Sequence, residues 1–549
     1  MVNKYYNLIL SAILVCIIIF FGRDLNPFDD KTFIAHDETQ AARVSEFALN
    51  ITHGHIPPRI SPNMSFGMGY PLFNYYAPFA YWVTSAIHLT GIPIVPSLEI
   101  SYLLALIIAY IGIIQFLKKY VSGWGSLIGG LLYITSPFVA VDIFVRGNLA
   151  EVWFLALFPI GLYLLSVVDK KRLFITALIL SFLFSVHNIF SLLAVFMLLV
   201  YSILIKNKYA LVSVAGGLLL SAYFLIPAIV ELPFVHARDV ATLTQYKDHF
   251  VCPWQLWYSP WGYGGSTTGC QLDGMSFMLG KLQLLMGTAG IGLLIWNLVK
   301  KPKKKHRIIM ISVAVLLVGS IFMTTKYSAP VWYMFEGMLS LFQFPWRFLL
   351  FALFGLSFFG AYGLSASSRN IPKRVFLAFM ILLSVGILGL NAKFFQGNNI
   401  AQDEYNDRFI SSEYIANGAA YNVAEYLPIS AHYDTWRLLE NNAFRDASDI
   451  PKNNDGLFDR TISQEAGKDA IINIHHAQYW TIKSESEMVT PESYDTIGRP
   501  IIAKTDHNRK ITVTYRQTLV QQIANCIALL SGILLISYSY LWNKNQNTT

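Results

Sequence analysis

Lys300-Lys-Pro-Lys-Lys-Lys-His-Arg307 separates an apolar run at 276–299 from another at 308–325. A basic stretch between two runs long enough to cross hydrocarbon is the pattern of a cytoplasmic loop in a multi-span membrane protein. Outward from it, apolar runs recur near 6–22, 97–117, 125–143, 149–168, 173–187, 188–205, 209–230, 347–366, 375–391 and 518–542. With the first two, that predicts about twelve transmembrane helices. The chain is 54% hydrophobic and 13% charged, with mean hydropathy +0.46. A soluble domain is about a quarter charged. Aromatic residues make up 15% of the chain, which suits many helix ends in the interfacial belt. The net charge of +8 lies largely in short loops between apolar runs, so orientation in the membrane explains it and no nucleic-acid partner is expected.

A further run, 72–90, is aromatic and follows or contains Pro71 and Pro78. If it does not cross, the cytoplasmic segments are those of Lys4, Lys118-Lys119, Lys170–Arg172, Lys206 with Lys208, Lys300–Arg307, Arg369–Arg374 and Lys544, with Asp169 as their only acid. If it does cross, most of that positive charge falls outside, against the usual bias. It is therefore predicted to lie along the membrane. No small-x-small cleavage pattern follows the run Tyr6–Gly22, so an uncleaved first span is expected. Both termini are then cytoplasmic, in a multi-pass protein of the cell membrane.

The expected fold class is an all-α polytopic bundle over 1–391, with a large first outer loop at 23–96. An extracytoplasmic α+β or β-rich domain follows at 392–517, then a final span and tail at 518–549. The polar 392–517 region has a helical pattern over Tyr414–Asn441. Strand-like alternation follows from Ala470, from Tyr479 and from Lys510.

The unusual residues gather on the predicted outer side. His36-Asp37-Glu38 places a histidine and two carboxylates in the first outer loop. A carboxylate there can act as a general base or hold a divalent cation such as Mg or Mn, and the plain alternative is a solvated acidic loop. Gly54-His-Ile-Pro-Pro-Arg59 and Gly67-Met-Gly-Tyr70-Pro-Leu-Phe-Asn-Tyr-Tyr76 combine fixed backbone with aromatic rings. Tyr70 and its neighbours can stack on a sugar or sit among headgroups, and Arg59 has the fork that phosphate takes. Arg146 and Glu151, next to hydrocarbon, either pair with each other or serve a phosphate. His187 at a span end is either a structural hydrogen-bonding residue or a substrate contact. Arg347, in Gln343-Phe-Pro-Trp-Arg347, either contacts phosphate or snorkels to the interface. Trp254, Trp257 and Trp261 lie in a Gly-rich loop that reads as a lid or an interfacial belt. Cys252 and Cys270 flank that loop and are placed to form a disulfide if it faces an oxidising side. Neither a GxxxxGK[ST] run nor a Gly-x-Ser-x-Gly elbow is present.

Together these motifs resemble the bacterial membrane proteins catalogued as 6-pyruvoyl-tetrahydropterin synthase-related, and their YfhO-like relatives. The resemblance is carried by the acidic first loop, Gly-x-x-Pro-Pro-Arg59, Gly-x-Gly-Tyr70-Pro-x-Phe-x-x-Tyr, Ser136-Pro137, Arg146-Gly147 with Glu151, Phe344-Pro-Trp-Arg347 and Ile511-Thr-Val-Thr-Tyr515. It covers most of 30–390 and 500–540. That group is similar to GT-C glycosyltransferases, in which an acidic residue of the first outer loop acts as base or through a metal. The resemblance implies that Asp37 has this role, with Glu38 as helper or second ligand. The Asp-x-Asp or Glu-x-Asp spacing of some members is absent.

The expected function is transfer of a sugar from a polyprenyl-phosphate donor to an extracytoplasmic acceptor, which is an envelope polymer, glycan, lipid or protein. Asp37 would be the base. Arg59, Arg146 and Arg347 would hold the leaving phosphate, with His36, Tyr70, Glu151 and His187 as further substrate contacts. The alternatives are a flippase for lipid-linked sugars and a non-catalytic assembly partner.

Overall fold

The computed structural model describes residues 10, 12–13, 15–17, 19–21, 23–237, 245–298, 304–367, 373–419, 424–431, 456–495 and 498–540. The chain is mostly helical, at 62%, with a strand-containing region towards its C-terminal end. Six helices among the described residues are long and apolar enough to cross a membrane: Ile94–Leu117, Leu149–Val167, Asn188–Ile205, His306–Thr324, Pro345–Ala366 and Leu519–Tyr540. Two bent pairs, Gly123–Ile134 with Pro137–Val145 and Lys208–Leu220 with Ala222–Val230, raise the number to eight. A count of twelve is not reached on length and composition. Leu173–Phe184 and Ala378–Phe394 are apolar but shorter, and much of 6–22 lies outside the described residues. Phe79–His88, within the 72–90 run, has ten residues, which rise only about 15 Å.

The breaks in the bundle are written in its sequence. Ser136 caps a new turn by accepting from the Phe138 amide at 3.3 Å, and Pro137 follows at the first helical position, where its missing N–H costs nothing. The two halves meet at 43°. Asn148 restarts the chain as Leu149–Val167, accepting from the Glu151 amide at 3.0 Å. Between these helices lies a wide π-type turn, Val141–Val145. It carries Asp142 and delivers Arg146 to the centre of the molecule.

Pro345–Ala366 is the central helix, 83% buried, whereas Leu519–Tyr540 is 11% buried and lies at the periphery. Helix Lys281–Leu298 approaches the central one so closely that a Cβ on Gly290 would stand 1.9 Å from the Phe359 carbonyl oxygen. Only glycine fits there.

Outside the bundle, Lys31–Ile34 pairs antiparallel with Asn398–Ala401, from Lys31 opposite Ala401 to Ile34 opposite Asn398. This short ribbon ties the first loop to the polar region. Two further antiparallel sheets follow. One has the order Asp459–Gln464, Arg509–Tyr515, Trp480–Ser484, Glu487–Met488; the other has Ala470–Ile471, Pro500–Ile502, Ser493–Tyr494. Ile472, Ile474, Ile482, Ile511 and Val513 form their core. Of the helical stretch expected over Tyr414–Asn441, Tyr414–Gly418 and Ala424–Tyr426 are helical turns, while 420–423 and 432–441 lie outside the described residues.

Candidate functional site

Five charged or titratable side chains from three segments of the chain, Asp142, Arg146, Glu151, His187 and Arg347, meet at the start of helix Leu149–Val167. Arg146 grips Glu151 with both terminal nitrogens, at 2.6 Å to Oε2 and 2.7 Å to Oε1, and also donates to Asp142. Arg347, at the head of the central helix, donates through Nε to Glu151 Oε1 at 3.3 Å. It donates through Nη1 to the Phe342 carbonyl at 2.8 Å and to Gln343 Oε1 at 3.1 Å. His187 caps helix Asn188–Ile205, and its Nε2 lies 3.7 Å from Glu151 Oε1. The Arg146 guanidinium sits 4.3 Å above the Trp346 ring. All of these groups are buried. The pairing of Arg146 with Glu151, one of the two alternatives the sequence leaves, is present. Two guanidinium groups balanced by two carboxylates satisfy the desolvation requirement for charges in such a place.

The first loop is stitched to this cluster through the backbone. The His36 amide donates to the Val145 carbonyl at 2.9 Å and the Asp37 amide to the Arg146 carbonyl at 2.8 Å. The contact depends on Gly147, which has φ +64°; a Cβ there would lie 2.7 Å from the Ala35 Cβ. Asp37 is thus fixed beside Arg146, within electrostatic reach of Arg43, Arg146 and Arg347. Its carboxylate is half-buried. Among the described residues it accepts no hydrogen bond and makes no ion pair. It opens onto a cavity of about 380 Å³, counting the solvent at its mouth, which Glu38, Gln40, Glu99, Tyr102 and Tyr405 also line.

Neighbouring segments close over this point. The Tyr414 hydroxyl donates to Glu38 Oε1 at 3.4 Å. His36 Nε2 donates to the Tyr263 carbonyl at 2.9 Å. Tyr263 belongs to the loop between Cys252 and Cys270, which form a disulfide with Cα atoms 6.0 Å apart. From the same loop Ser266 accepts from Trp346 Nε1 at 3.3 Å. The aromatic loop therefore touches both flanks of the cluster.

Arg59 and Tyr70 are placed elsewhere. Arg59 is buried, donating to the Tyr223 carbonyl at 2.6 Å and to Asn525 Oδ1 at 3.0 Å. It joins a network in which Glu231 accepts from Asn74 at 2.7 Å and from Gln521 at 3.0 Å. That network pins the first loop to helices Ala222–Val230 and Leu519–Tyr540. Tyr70 is fully buried, with its hydroxyl accepting from the Tyr426 amide at 3.0 Å.

Three residues not singled out by their sequence enter the site. Arg43, on helix Gln40–Thr52, is buried over the Tyr76 ring at 4.7 Å and donates to the Tyr81 hydroxyl at 3.2 Å. No carboxylate lies within ion-pair distance of it among the described residues. Gln40 accepts from Tyr81 at 2.8 Å, and its Nε2 is buried without a partner. Glu99 accepts from Thr32 at 2.9 Å, and its Oε2 is likewise buried without a partner. The signal for Glu99 was a carboxylate inside the 97–117 apolar run. Arg43 carried no such signal, since a basic residue in a loop helix is ordinary.

Asp37 and Glu38 supply carboxylate donors of the kind Mg or Mn takes. No third His, Cys, Asp or Glu converges with them among the described residues, and Glu38 is already engaged by Tyr414. The set does not fit a metal centre, and no step below uses one.

No protein-family model matches the chain, so membership of the pterin-synthase-related group is not confirmed. No curated protein matches it. Among solved structures it is similar to the arabinofuranosyltransferase AftD from mycobacteria, at 12% identity and TM-score 0.44 over 70% of this chain and 26% of that one. It is also similar to the Archaeoglobus fulgidus oligosaccharyltransferase tethered with an acceptor peptide, at 10% identity and TM-score 0.41 over 71% of this chain and 55% of that one. A third is the AglB oligosaccharyltransferase of the same organism with an inhibitory peptide and a dolichol-phosphate, at 12% identity and TM-score 0.40 over 72% and 56%. These neighbours are GT-C glycosyltransferases. The chain spans a quarter to just over half of their length, and TM-scores below 0.5 mark a distant likeness.

Proposed function

We propose that the chain is a membrane glycosyltransferase that moves a sugar from a polyprenyl-phosphate carrier to a hydroxyl of an extracytoplasmic acceptor. The observation that carries this is the Asp37 carboxylate, unpartnered among the described residues and fixed at a cavity edge beside buried guanidinium groups. Asp37 takes the proton from the acceptor hydroxyl as its oxygen bonds to the anomeric carbon. The bond from that carbon to the carrier phosphate breaks, and the phosphate leaves with the electron pair. Arg146, Arg347 and Arg43 supply the positive field that the leaving oxygen needs, in a setting where such charges are only weakly screened. Glu151 and His187 hold Arg146 and Arg347 in place. Arg59, engaged in its own network, has no part in this step.

The test uses the purified full chain in lipid nanodiscs with radiolabelled polyprenyl-phosphate sugars and an envelope extract. Label should move to the extract, and Asp37→Asn should reduce transfer by roughly 10²–10⁴-fold, the usual contribution of a general base, while donor binding stays close to wild type. A flippase or an assembly partner would be indifferent to Asp37→Asn.

A further inference from the structure

The three arginines near Asp37 are not equivalent. Arg146 gives its terminal nitrogens to Glu151 and Asp142. Arg347 shares Glu151 through Nε and gives Nη1 to Phe342 and Gln343. Here two guanidinium charges meet two carboxylates, so the set is neutral. Arg43 stands outside that balance. It is 5% exposed, and its Nη1 donates to an uncharged group, the Tyr81 hydroxyl. Its Nε is buried without a partner, and among the described residues its Nη2 has none. Nε and Nη2 together form the side of the guanidinium that grips two oxygens of one phosphate. A buried guanidinium left in this state is costly until an anion meets it.

The surroundings say how much negative charge fits. Arg43 and Arg347 both act on Asp37 and Tyr76. Glu425, from the polar region, is within electrostatic reach of both arginines and of Asp37. It is held there by its neighbour, since the Tyr426 amide donates to the Tyr70 hydroxyl at 3.0 Å. Asp37, Tyr76 and Glu425 are partly exposed, so the group is not sealed from solvent. One guanidinium is uncompensated, and two acids stand near it.

We infer that Arg43 grips the donor phosphate directly, with Arg347 beside it, and that the donor carries a single phosphate between lipid and sugar. The inference rests on the transfer reading above and names its donor class. A phosphodiester brings one negative charge, which the uncompensated guanidinium matches. A diphosphate diester brings a second, which Asp37 and Glu425 oppose.

The probes are farnesyl methyl phosphate and the diphosphate that carries farnesyl on one phosphate and methyl on the other. Neither holds a sugar. Each is titrated by calorimetry onto the full chain in phosphatidylcholine nanodiscs, with empty nanodiscs as the reference. The monophosphate should bind roughly tenfold more tightly than the diphosphate. Arg43→Gln should weaken the monophosphate roughly tenfold or more, the effect of losing a charge-assisted contact. Arg43→Lys keeps the charge without the fork and should recover only part of the affinity. Thermal melting identifies which variants fold, and the comparison of the two probes needs no variant. Adding phosphatidylglycerol, itself a phosphodiester, should leave the titration unchanged. The inference is overturned if the diphosphate binds as tightly as the monophosphate, if folded Arg43→Gln binds like wild type, or if phosphatidylglycerol displaces the probe and so assigns the site to bulk lipid. Because sugar and acceptor are both left out, these outcomes stand apart from the transfer assay. Binding that depends on Arg43 in a chain that moves no label would keep the phosphate site and remove the transfer reading. Label transfer by a chain whose binding ignores Arg43 would do the reverse.

Discussion

Glu151 is shared by two guanidinium groups and capped by Asn148, so its substitution tests the cluster most directly. Glu151→Gln leaves Arg146 and Arg347 with only Asp142 to balance them, and removing one partner of a buried ion pair costs about 3–5 kcal/mol. The expected result is a large fall in the apparent melting temperature of the detergent-solubilised protein. An unchanged melting curve would mean that water reaches the cluster freely. Glu46 offers a second test, one of pH. Burial pushes its carboxyl up from 4.5 to about 7, although Asn63 donates to both oxygens, at 3.0 Å and 2.8 Å. A folded-state pKa above the unfolded one means that the folded chain holds the proton longer. The stabilisation is therefore full below pH 4.5 and lost as pH rises through about 7. Its full size is on the order of 3 kcal/mol. Melting temperature measured from pH 4.5 to 8 should fall with pH in the wild type, and Glu46→Gln should flatten that part of the slope.

Among the elements, the disulfide loop joins otherwise distant parts of the site. It reaches His36 on one side and Trp346, beneath Arg146, on the other. The sequence left it as either a lid or a belt, since tryptophans and glycines suit both. Its contacts fit a lid, while Trp254 and Trp257 remain exposed as belt residues would. Closing a loop of 18 residues stabilises by about 3 kcal/mol in the chain-entropy account. The double variant Cys252→Ser, Cys270→Ser should therefore loosen the loop and, through His36, the segment that carries Asp37. Hydrogen exchange is the measurement: amides of 34–38 should exchange faster along with those of 250–275. Faster exchange confined to 250–275 would show that the loop does not brace the first loop. The Gly147 turn belongs to the same scale. Its positive φ and its contact with Ala35 let the first loop lie against Val145–Arg146, and a glycine beside an arginine could not reveal that neighbour from sequence.

At the scale of the whole molecule, legibility followed the length of the pattern. Apolar runs are long signals, and they mark the spanning helices, with breaks where Ser136-Pro137 and Asn148 stop and restart the chain. Charges inside or next to those runs carry a signal too, because hydrocarbon makes them costly, although Glu99 within the 97–117 run was passed over. That is why Arg146, Glu151, His187 and Arg347 could be named, and the fold brings them together. Arg59 and Tyr70 looked equally special, but they sit in separate buried networks. Gly-Pro-aromatic motifs mark fixed backbone without saying what it is fixed against. Arg43 and Gln40 were silent because their surroundings come from segments distant in sequence, such as Tyr76 and Tyr81. Sidedness is the property on which the proposal depends as a whole, and charge bias alone argues for it. In a background of Cys16→Ser and Cys526→Ser, single cysteines at two exposed positions can test it, Ser412→Cys near the Tyr414 turn and Lys171→Cys in a basic loop. A membrane-impermeant maleimide on intact cells should label Ser412→Cys at once and Lys171→Cys only after permeabilisation. The opposite order would turn Asp37 and its cavity towards the cytoplasm and remove the extracytoplasmic acceptor, because the Lys31–Ile34 ribbon holds the first loop and the Asn398–Ala401 strand on the same side.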